Sequence, residues 1–549
     1  MTPDQLADLR RASERLGADS LRRLLADPDR FAAWSHRVGP LLVDFSRQRL
    51  DGAALDALGG VLAGTDWEAR RDAMFRGETI NASERRAVLH TALRARQARL
   101  PALAPAAVLG EIAEALQRIE KLVAAVQAGR AEHGLPPGIT DVVNVGIGGS
   151  DLGPRLAVEA LDRFRTGRLT CHFLANLDGE GPARLMRTLD PRRTLVLLVS
   201  KSFTTQETLL NGQVLRDWIV AAYDGDAAAA QGHFVAVTAN AAAAHAFGIA
   251  AERTLPMWDF VGGRYSVWSA VGLALALAIG SEAFTAFLHG GALIDDHFRT
   301  APWRTNLPVL MALVGIWNRN ALDLPGLAVI PYCDALRELP AFLQQLEMES
   351  LGKSVRPDGA PVAQATVPVL WGNVGSNAQH AFFQALHQGT DPVPVDFIGV
   401  IRPDHPLGAN HRALLANMLA QAAALAAGKT FEEALAEARE GSEAERRVLA
   451  AQRTFPGNRP STTILLDVLT PESLGALIAL YEHKVFVQSL LWEVNAFDQW
   501  GVELGKVLAK AILPVLSGEA DPAALDAATR GLVAAIRTRD VRERDMPAP

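Results

Sequence analysis

Residues 194–208 read Thr-Leu-Val-Leu-Leu-Val-Ser-Lys-Ser-Phe-Thr-Thr-Gln-Glu-Thr. The unbroken apolar run predicts a strand over 194–200 buried on both faces, and the pattern beyond it predicts a helix over 204–222. Short apolar runs at 141–145, 170–175 and 234–238 also read as strands, with another helix near 154–164. Strands alternating with helices predict a parallel sheet covered on both faces. The pattern returns with strands at 327–331, 366–371 and 395–401 and helices near 340–352 and 377–388. The fold class is therefore α/β, with two parallel sheets of related plan and no residue-level repeat between them. Residues 1–130 are rich in Ala, Leu, Arg and Glu at helical spacing and read as several helices. After 409 the chain is mostly helical, apart from a strand at 462–466, and it ends in a polar tail at 540–549.

The bulk properties narrow the function. A chain of 549 residues is too long for a single core. A net charge of −7 and a pI near 6.0 provide no broad basic field, so neither nucleic acid nor an anionic membrane surface is expected as a main partner. Any bound anion must be held by a local site. The two cysteines, Cys171 and Cys333, lie in apolar strand-like runs and read as buried, reduced thiols. The first residues contain no apolar signal region, which predicts a cytoplasmic protein. The apolar stretch 267–279 is shorter than the ~20 residues needed to cross a bilayer and reads as a core helix.

The turn after the 194–200 strand is crowded with hydroxyls. Ser200, Ser202, Thr204, Thr205 and Thr208, the opening N–H groups of the helix and the charge of Lys201 could together cradle a phosphate. An ordinary connection with a Ser/Thr N-cap fits this segment equally well. Asn144-Val-Gly-Ile-Gly-Gly-Ser-Asp-Leu-Gly-Pro154 also joins a strand to a helix through glycines that permit close backbone approach. It lacks the third glycine of a dinucleotide fingerprint, Asp178 is an arbitrary choice for the ribose acid, and no Gly-Lys-Ser/Thr follows.

Gly262-Gly-Arg-Tyr-Ser266 places Arg264 beside flexible backbone, either as an oxyanion stabiliser or as a surface residue flanking a helix. Gln345-Leu-Glu-Met-Glu-Ser-Leu-Gly-Lys353 carries two carboxylates. On a helix Glu347 and Glu349 point in different directions, so they are not a glycosidase-like pair. Glu349 could be a lone general base, or it could pair with Lys353 at i,i+4 for about 0.2–0.5 kcal/mol. His380 lies near the start of the helix expected at 377–388, where the macrodipole would favour neutral imidazole. A structural histidine is the alternative. No His/Cys cluster has metal-ligand spacing. Gln499 and Lys506, near the C-terminus, say nothing specific by themselves.

In this order and at these separations, the five segments closely resemble the phosphoglucose isomerase (glucose-6-phosphate isomerase) family over roughly residues 40–510. The resemblance implies two sugar-isomerase (SIS) domains, a homodimer, and no metal or organic cofactor. It assigns phosphate binding to Gly149, Ser150, Ser200, Ser202, Thr205 and Thr208, with Lys201 nearby. It makes Glu349 the base moving a proton between C2 and C1 and Arg264 the stabiliser of a cis-enediolate. His380, reaching in from the partner subunit, and Lys506 would assist ring opening, Gln499 would contact substrate, and Glu207 would orient the histidine. The implied activity is reversible isomerisation of D-glucose 6-phosphate and D-fructose 6-phosphate. Action on mannose 6-phosphate as well stays open, because epimer choice rests on pocket shape. The alternative from another class is a catalytically silent SIS-type sugar-phosphate sensor.

The resemblance also implies a helical extension at 1–45, a larger SIS domain from 46–104 plus 279–505, a smaller one at 105–278 and a helical arm at 506–549. Three departures stand out. Ser202 replaces a common threonine, Leu351 replaces a common asparagine, and Asn373-Val-Gly-Ser-Asn-Ala378 replaces a Glu-Pro-Gly-Thr-Asn-Gly run.

Overall fold

A computed structural model of the chain describes residues 1–17, 20–167 and 169–539; the tail at 540–549 lies outside the described residues. In chain order the strands are β1 (Ser35–Val38), β2 (Leu41–Asp44), β3 (Asp141–Val145), β4 (Thr170–Leu174), β5 (Thr194–Val199), β6 (Phe234–Thr238), β7 (Thr254–Pro256), β8 (Gly326–Tyr332), β9 (Val369–Gly372), β10 (Val395–Val400) and β11 (Ser461–Leu466).

Among the described residues these strands form two sheets. One is five-stranded, ordered β4-β3-β5-β6-β7, and the other six-stranded, ordered β1-β2-β11-β10-β8-β9. The first is parallel throughout, and β8 to β11 are parallel in the second. Every residue of β5, β6 and β10 is buried, which is why these strands read as mainly apolar runs, with Asp396 the buried acid in β10.

Strand order fixes where ligands can enter. The chain leaves β3 for β4 on one side and then returns to β5 on the other, so the loops after β3 and β5 part around a crevice. In open α/β sheets this switch point, at the carboxyl ends of the strands, is the usual place for a ligand. Residues 146–151 and 200–205 occupy it.

The sequence reading of 1–130 as helices fails at residues 35–44. There Gly39-Pro40 turns a hairpin whose β2 pairs antiparallel with β11, so the larger sheet already begins at Ser35. The short Leu-Leu-Val run was masked by its alanine- and arginine-rich surroundings. The single helix expected at 340–352 is an α-helical turn, Leu339–Leu343, followed by a π-helical segment, Gln344–Glu349. The helix expected at 377–388 is a 3₁₀ turn, Asn377–His380, and a short helix, Phe383–Gln388.

The main core lies around two long helices, Leu273–Thr300 and Pro471–Trp492, which pack closely on each other. A side chain at Gly475 would overlap the carbonyl of Phe287, so glycine sets how near they come. The apolar stretch at 267–279 leads into the first of these helices and is buried, as expected, although the helix continues past a bend at Gly280. Both helices are long and apolar enough to cross a membrane, but 72% and 94% of their most apolar windows are buried inside the molecule.

Arg94 lies in this core without exposure. It donates twice to Asp295 at 2.7 Å and once to Glu482 at 2.7 Å, while the Trp268 ring lies 4.3 Å from its guanidinium. Both cysteines are free and half-buried, and burial pushes the Cys171 thiol up to about 12.

The chain divides into two compact units, Met1–Phe497 and Asp498–Pro549. The second carries the helices Glu503–Leu516 and Ala527–Arg539.

Candidate active site

The crevice is built first by backbone. After β3, Gly148–Ser150 forms a 3₁₀ turn, and Asn144 Nδ2 fixes its end by donating to the Ser150 carbonyl at 3.0 Å. A β-carbon on Gly149 would overlap the carbonyl of Gly263 and lie 2.6 Å from the Arg264 nitrogen. Only glycine therefore lets this turn lie against the loop carrying Arg264. The Ser150 hydroxyl has no hydrogen-bond partner among the described residues.

The loop after β5 supplies the hydroxyls. Ser200 Oγ accepts the Phe203 N–H at 3.1 Å and lies 3.0 Å from Thr205 Oγ1, while the hydroxyls of Ser202 and Thr204 pair at 2.7 Å. Phe203 takes a left-handed backbone, φ 54°, and buries its ring, an arrangement that folds the loop back on itself. The plain N-cap reading of this segment does not hold. Thr205 occupies the cap position of the helix Gln206–Ala222 without a side-chain capping bond, which leaves the first-turn N–H groups free for an anion. Thr208 is 1% exposed, and its hydroxyl has no partner among the described residues. A buried orphan hydroxyl costs free energy that a bound phosphate would recover. Lys201 Nζ turns to the carboxylate of Asp259 at 3.4 Å; burial pulls the ammonium below its ordinary value, against the pull of Asp259.

Arg264 is a buried residue, not a surface one. Its Nε donates to Ser350 Oγ at 2.6 Å, Nη2 to the Ala496 carbonyl at 2.5 Å and Nη1 to Glu349 Oε2 at 3.4 Å. Tyr265 Oη lies 2.9 Å from the same Ser350 Oγ, and burial raises its phenol. Glu349 keeps 21% side-chain exposure, and among the described residues its carboxylate meets no group besides Arg264. The i,i+4 pair with Lys353 does not form. Lys353 Nζ instead donates to the carbonyls of Glu349, Ser350 and Asn495 at 3.1, 2.7 and 2.6 Å. Glu347 points away from Glu349, to Lys484 at 2.6 Å.

Sequence reasoning missed Ser350, Asp259 and Gln345. The Gln345 amide nitrogen lies 3.0 Å from where a Gly148 β-carbon would be, and its oxygen is buried without a partner among the described residues. No motif spacing marks these positions; they follow from tertiary contact alone.

His380 and Glu207 make no hydrogen bond or ion pair to this group among the described residues. His380 is exposed, with no hydrogen bond or ion pair to its side chain among the described residues. The helix-dipole argument for it fails, because it ends a 3₁₀ turn ahead of a six-residue helix. Glu207, in the first turn of the 206–222 helix, is half-buried and likewise unpaired. In the second unit, Gln499 precedes a 3₁₀ turn at Trp500–Val502, and Lys506 pairs with Glu503 at 2.8 Å on the exposed face of its helix. Leu351 is wholly buried in the main core, so the departure beside Glu349 exchanges a polar group for apolar packing.

A family model described as phosphoglucose isomerase matches residues 44–533. A protein of Stenotrophomonas maltophilia named glucose-6-phosphate isomerase is 50% identical over 527 residues, covering 96% of this chain and 97% of its own length. One of the same name from Burkholderia pseudomallei is 49% identical over 511 residues, 93% of each chain. The crystal structure of a glucose-6-phosphate isomerase from Chlamydia trachomatis superposes with a TM-score of 0.83 at 34% identity, covering 97% of this chain and 98% of that one.

Proposed function

This chain belongs to the phosphoglucose isomerase family, and we propose that Glu349 carries the proton in its reaction, the reversible interconversion of D-glucose 6-phosphate and D-fructose 6-phosphate. The observation that carries the assignment is the buried Arg264 guanidinium, held on three sides and 3.4 Å from the half-open Glu349 carboxylate. A hydrogen on the carbon beside an aldehyde is a weak acid. A carboxylate removes it only if the oxyanion that develops is stabilised at the same time.

In the forward direction Glu349 takes the C2 proton, the C–H electron pair moves into the C1–C2 bond, and the carbonyl electrons come to rest on O1. The resulting cis-enediolate lies against Arg264. Return of the proton to C1, with the O2 proton passing to O1 and the O2 electron pair forming the C2 carbonyl, gives the ketose. The phosphate sits among Gly149, Ser150, Ser200, Ser202, Thr205 and Thr208, close to Lys201, and its remote contacts hold the carbon chain in register. His380 of a second copy, oriented by Glu207, and Lys506 open the ring, and Gln499 contacts the sugar.

A homodimer fits two observations. His380 is exposed and unpaired among the described residues, and in the second unit Trp500, Leu504 and Val507 are 61%, 68% and 63% exposed. Apolar side chains clustered in this way mark an interaction surface. Sugar phosphates are dianions that do not cross bilayers unaided, so the enzyme works in the cytoplasm. A silent sensor needs the phosphate cradle but has no use for a carboxylate beside a buried arginine.

The test is turnover of fructose 6-phosphate, read by glucose-6-phosphate dehydrogenase and NADP reduction, with and without EDTA, beside sedimentation of the same sample. EDTA-resistant turnover by a dimer is expected. A folded dimer that binds the sugar phosphate without turning it over would replace the isomerase with the sensor.

A further inference from the structure

We propose that the buried Glu347–Lys484 ion pair positions Glu349 by anchoring the π-helical segment that carries it; the inference rests on Glu349 being the base. Glu347 Oε1 and Lys484 Nζ are 2.6 Å apart, with side chains 1% and 4% exposed. Lys484 comes from the middle of the core helix Pro471–Trp492, and its ammonium also lies 5.2 Å from the Tyr481 ring centroid. Tyr481 Oη in turn donates to Asp396 on β10 at 3.0 Å, so the lysine head is set in a fixed frame.

A π-helical segment closes wider i→i+5 rings than an α-helix, re-aims the side chains it carries, and is frequent at functional sites, although a second one, Trp317–Ala321, lies in the core of this chain. Gln344–Glu349 is such a segment, and Glu349 is its last residue. Its far side is fixed by Ser350, held by Arg264 and Tyr265, and by Lys353 on the last carbonyls. Its near side has the Glu347–Lys484 pair, two residues before the base. Without that tie, relaxation toward α-helical geometry would turn Glu349 relative to Arg264. An apolar pair of similar volume would serve folding as well or better, because removing two charges from water is costly. The presence of a buried ion pair here therefore points to geometry more than to stability.

The test compares Glu347→Met/Lys484→Met, which removes both charges and keeps the volume, with Glu347→Asp, which keeps the pair but shortens its tether. Each is assayed per folded dimer for kcat, KM and the isotope effect with C2-deuterated glucose 6-phosphate. The expected result is a fall in kcat on the order of 10–100-fold, little change in KM, and a larger isotope effect as proton transfer becomes limiting. A role confined to stability would shift the urea midpoint and leave the isotope effect alone. Wild-type kcat and isotope effect in either folded variant overturns the inference. Glu349→Gln is run alongside: if it is inactive while these variants are fully active, only the positioning role falls, and if it turns over normally, the base assignment falls with it.

Discussion

The Thr208 hydroxyl is buried, lacks a partner among the described residues, and stands on the first turn of an uncapped helix. Removing it should therefore have opposite effects on the free and the bound protein. Thr208→Val keeps the shape and removes an unsatisfied group, so the urea midpoint is expected to hold or rise. The same change deletes a hydrogen bond to a dianion worth about 1.5–3 kcal/mol, so KM for the sugar phosphate should rise about 10–100-fold. A raised KM with a lowered midpoint would mean that the hydroxyl already has a structural partner. The sequence made this position visible as one of five hydroxyls in a short turn. It could not show that Thr205 turns to Ser200 and leaves the helix uncapped, because that choice depends on the left-handed backbone at Phe203.

At the scale of elements, the site depends on two turns from distant parts of the chain meeting backbone to backbone. Gly149→Ala forces the Gly148–Ser150 turn away from Gly263 and Arg264. A displacement of about 1 Å at Arg264 should lower kcat/KM on the order of 10²-fold, with a loss of about 1–3 kcal/mol in stability from overpacking. Steady-state kinetics beside a urea titration separates this from unfolding; unchanged kcat/KM would show that the contact does not set the position of Arg264. Most parallel strands were legible, the buried ones β5 and β6 because burial on both faces writes apolar runs, but the three-residue edge strand β7 at Thr254–Pro256 was too short to leave a pattern. The hairpin at Ser35–Asp44 was not, being short and set in helix-like composition. Nor was the π-helical segment at Gln344–Glu349, since no side-chain period distinguishes it from an α-helix over six residues. His380 was legible as a candidate, but its setting was misread: the Gly/Asn/Ser turn extends through it as a 3₁₀ turn before the helix begins.

Over the whole molecule, five histidines that burial pulls below their ordinary value are expected to weaken the fold as the pH falls. Burial, with smaller contributions from His36 and His483, pulls His297 from 6.5 down to about 4, and its neutral Nε2 accepts the Leu307 N–H at 3.0 Å. Burial shifts His36, His90, His233 and His483 in the same direction. Between about pH 6.5 and 4 the unfolded chain binds more protons at His297 than the folded one. This contribution is therefore complete above about pH 6.5 and disappears as the pH falls toward 4. Asp295, which burial raises but Arg94 and His483 hold down to about 2, gives way only at lower pH. Urea midpoints should thus fall with pH across the histidine window, and His297→Gln should flatten that slope; a parallel slope in the variant would assign it to the other histidines. These shifts could not be read from the sequence pattern, because they depend on what packs against each side chain.

The measurement that tests the central claim most directly is solvent deuterium incorporation at C2 of glucose 6-phosphate and C1 of fructose 6-phosphate, followed by NMR in D₂O with wild type and Glu349→Gln. The account predicts exchange at both carbons with wild type and a rate about two to four orders of magnitude lower in the variant, with sugar-phosphate binding retained. Exchange at the wild-type rate in a folded Glu349→Gln protein would contradict it and move the base to another residue.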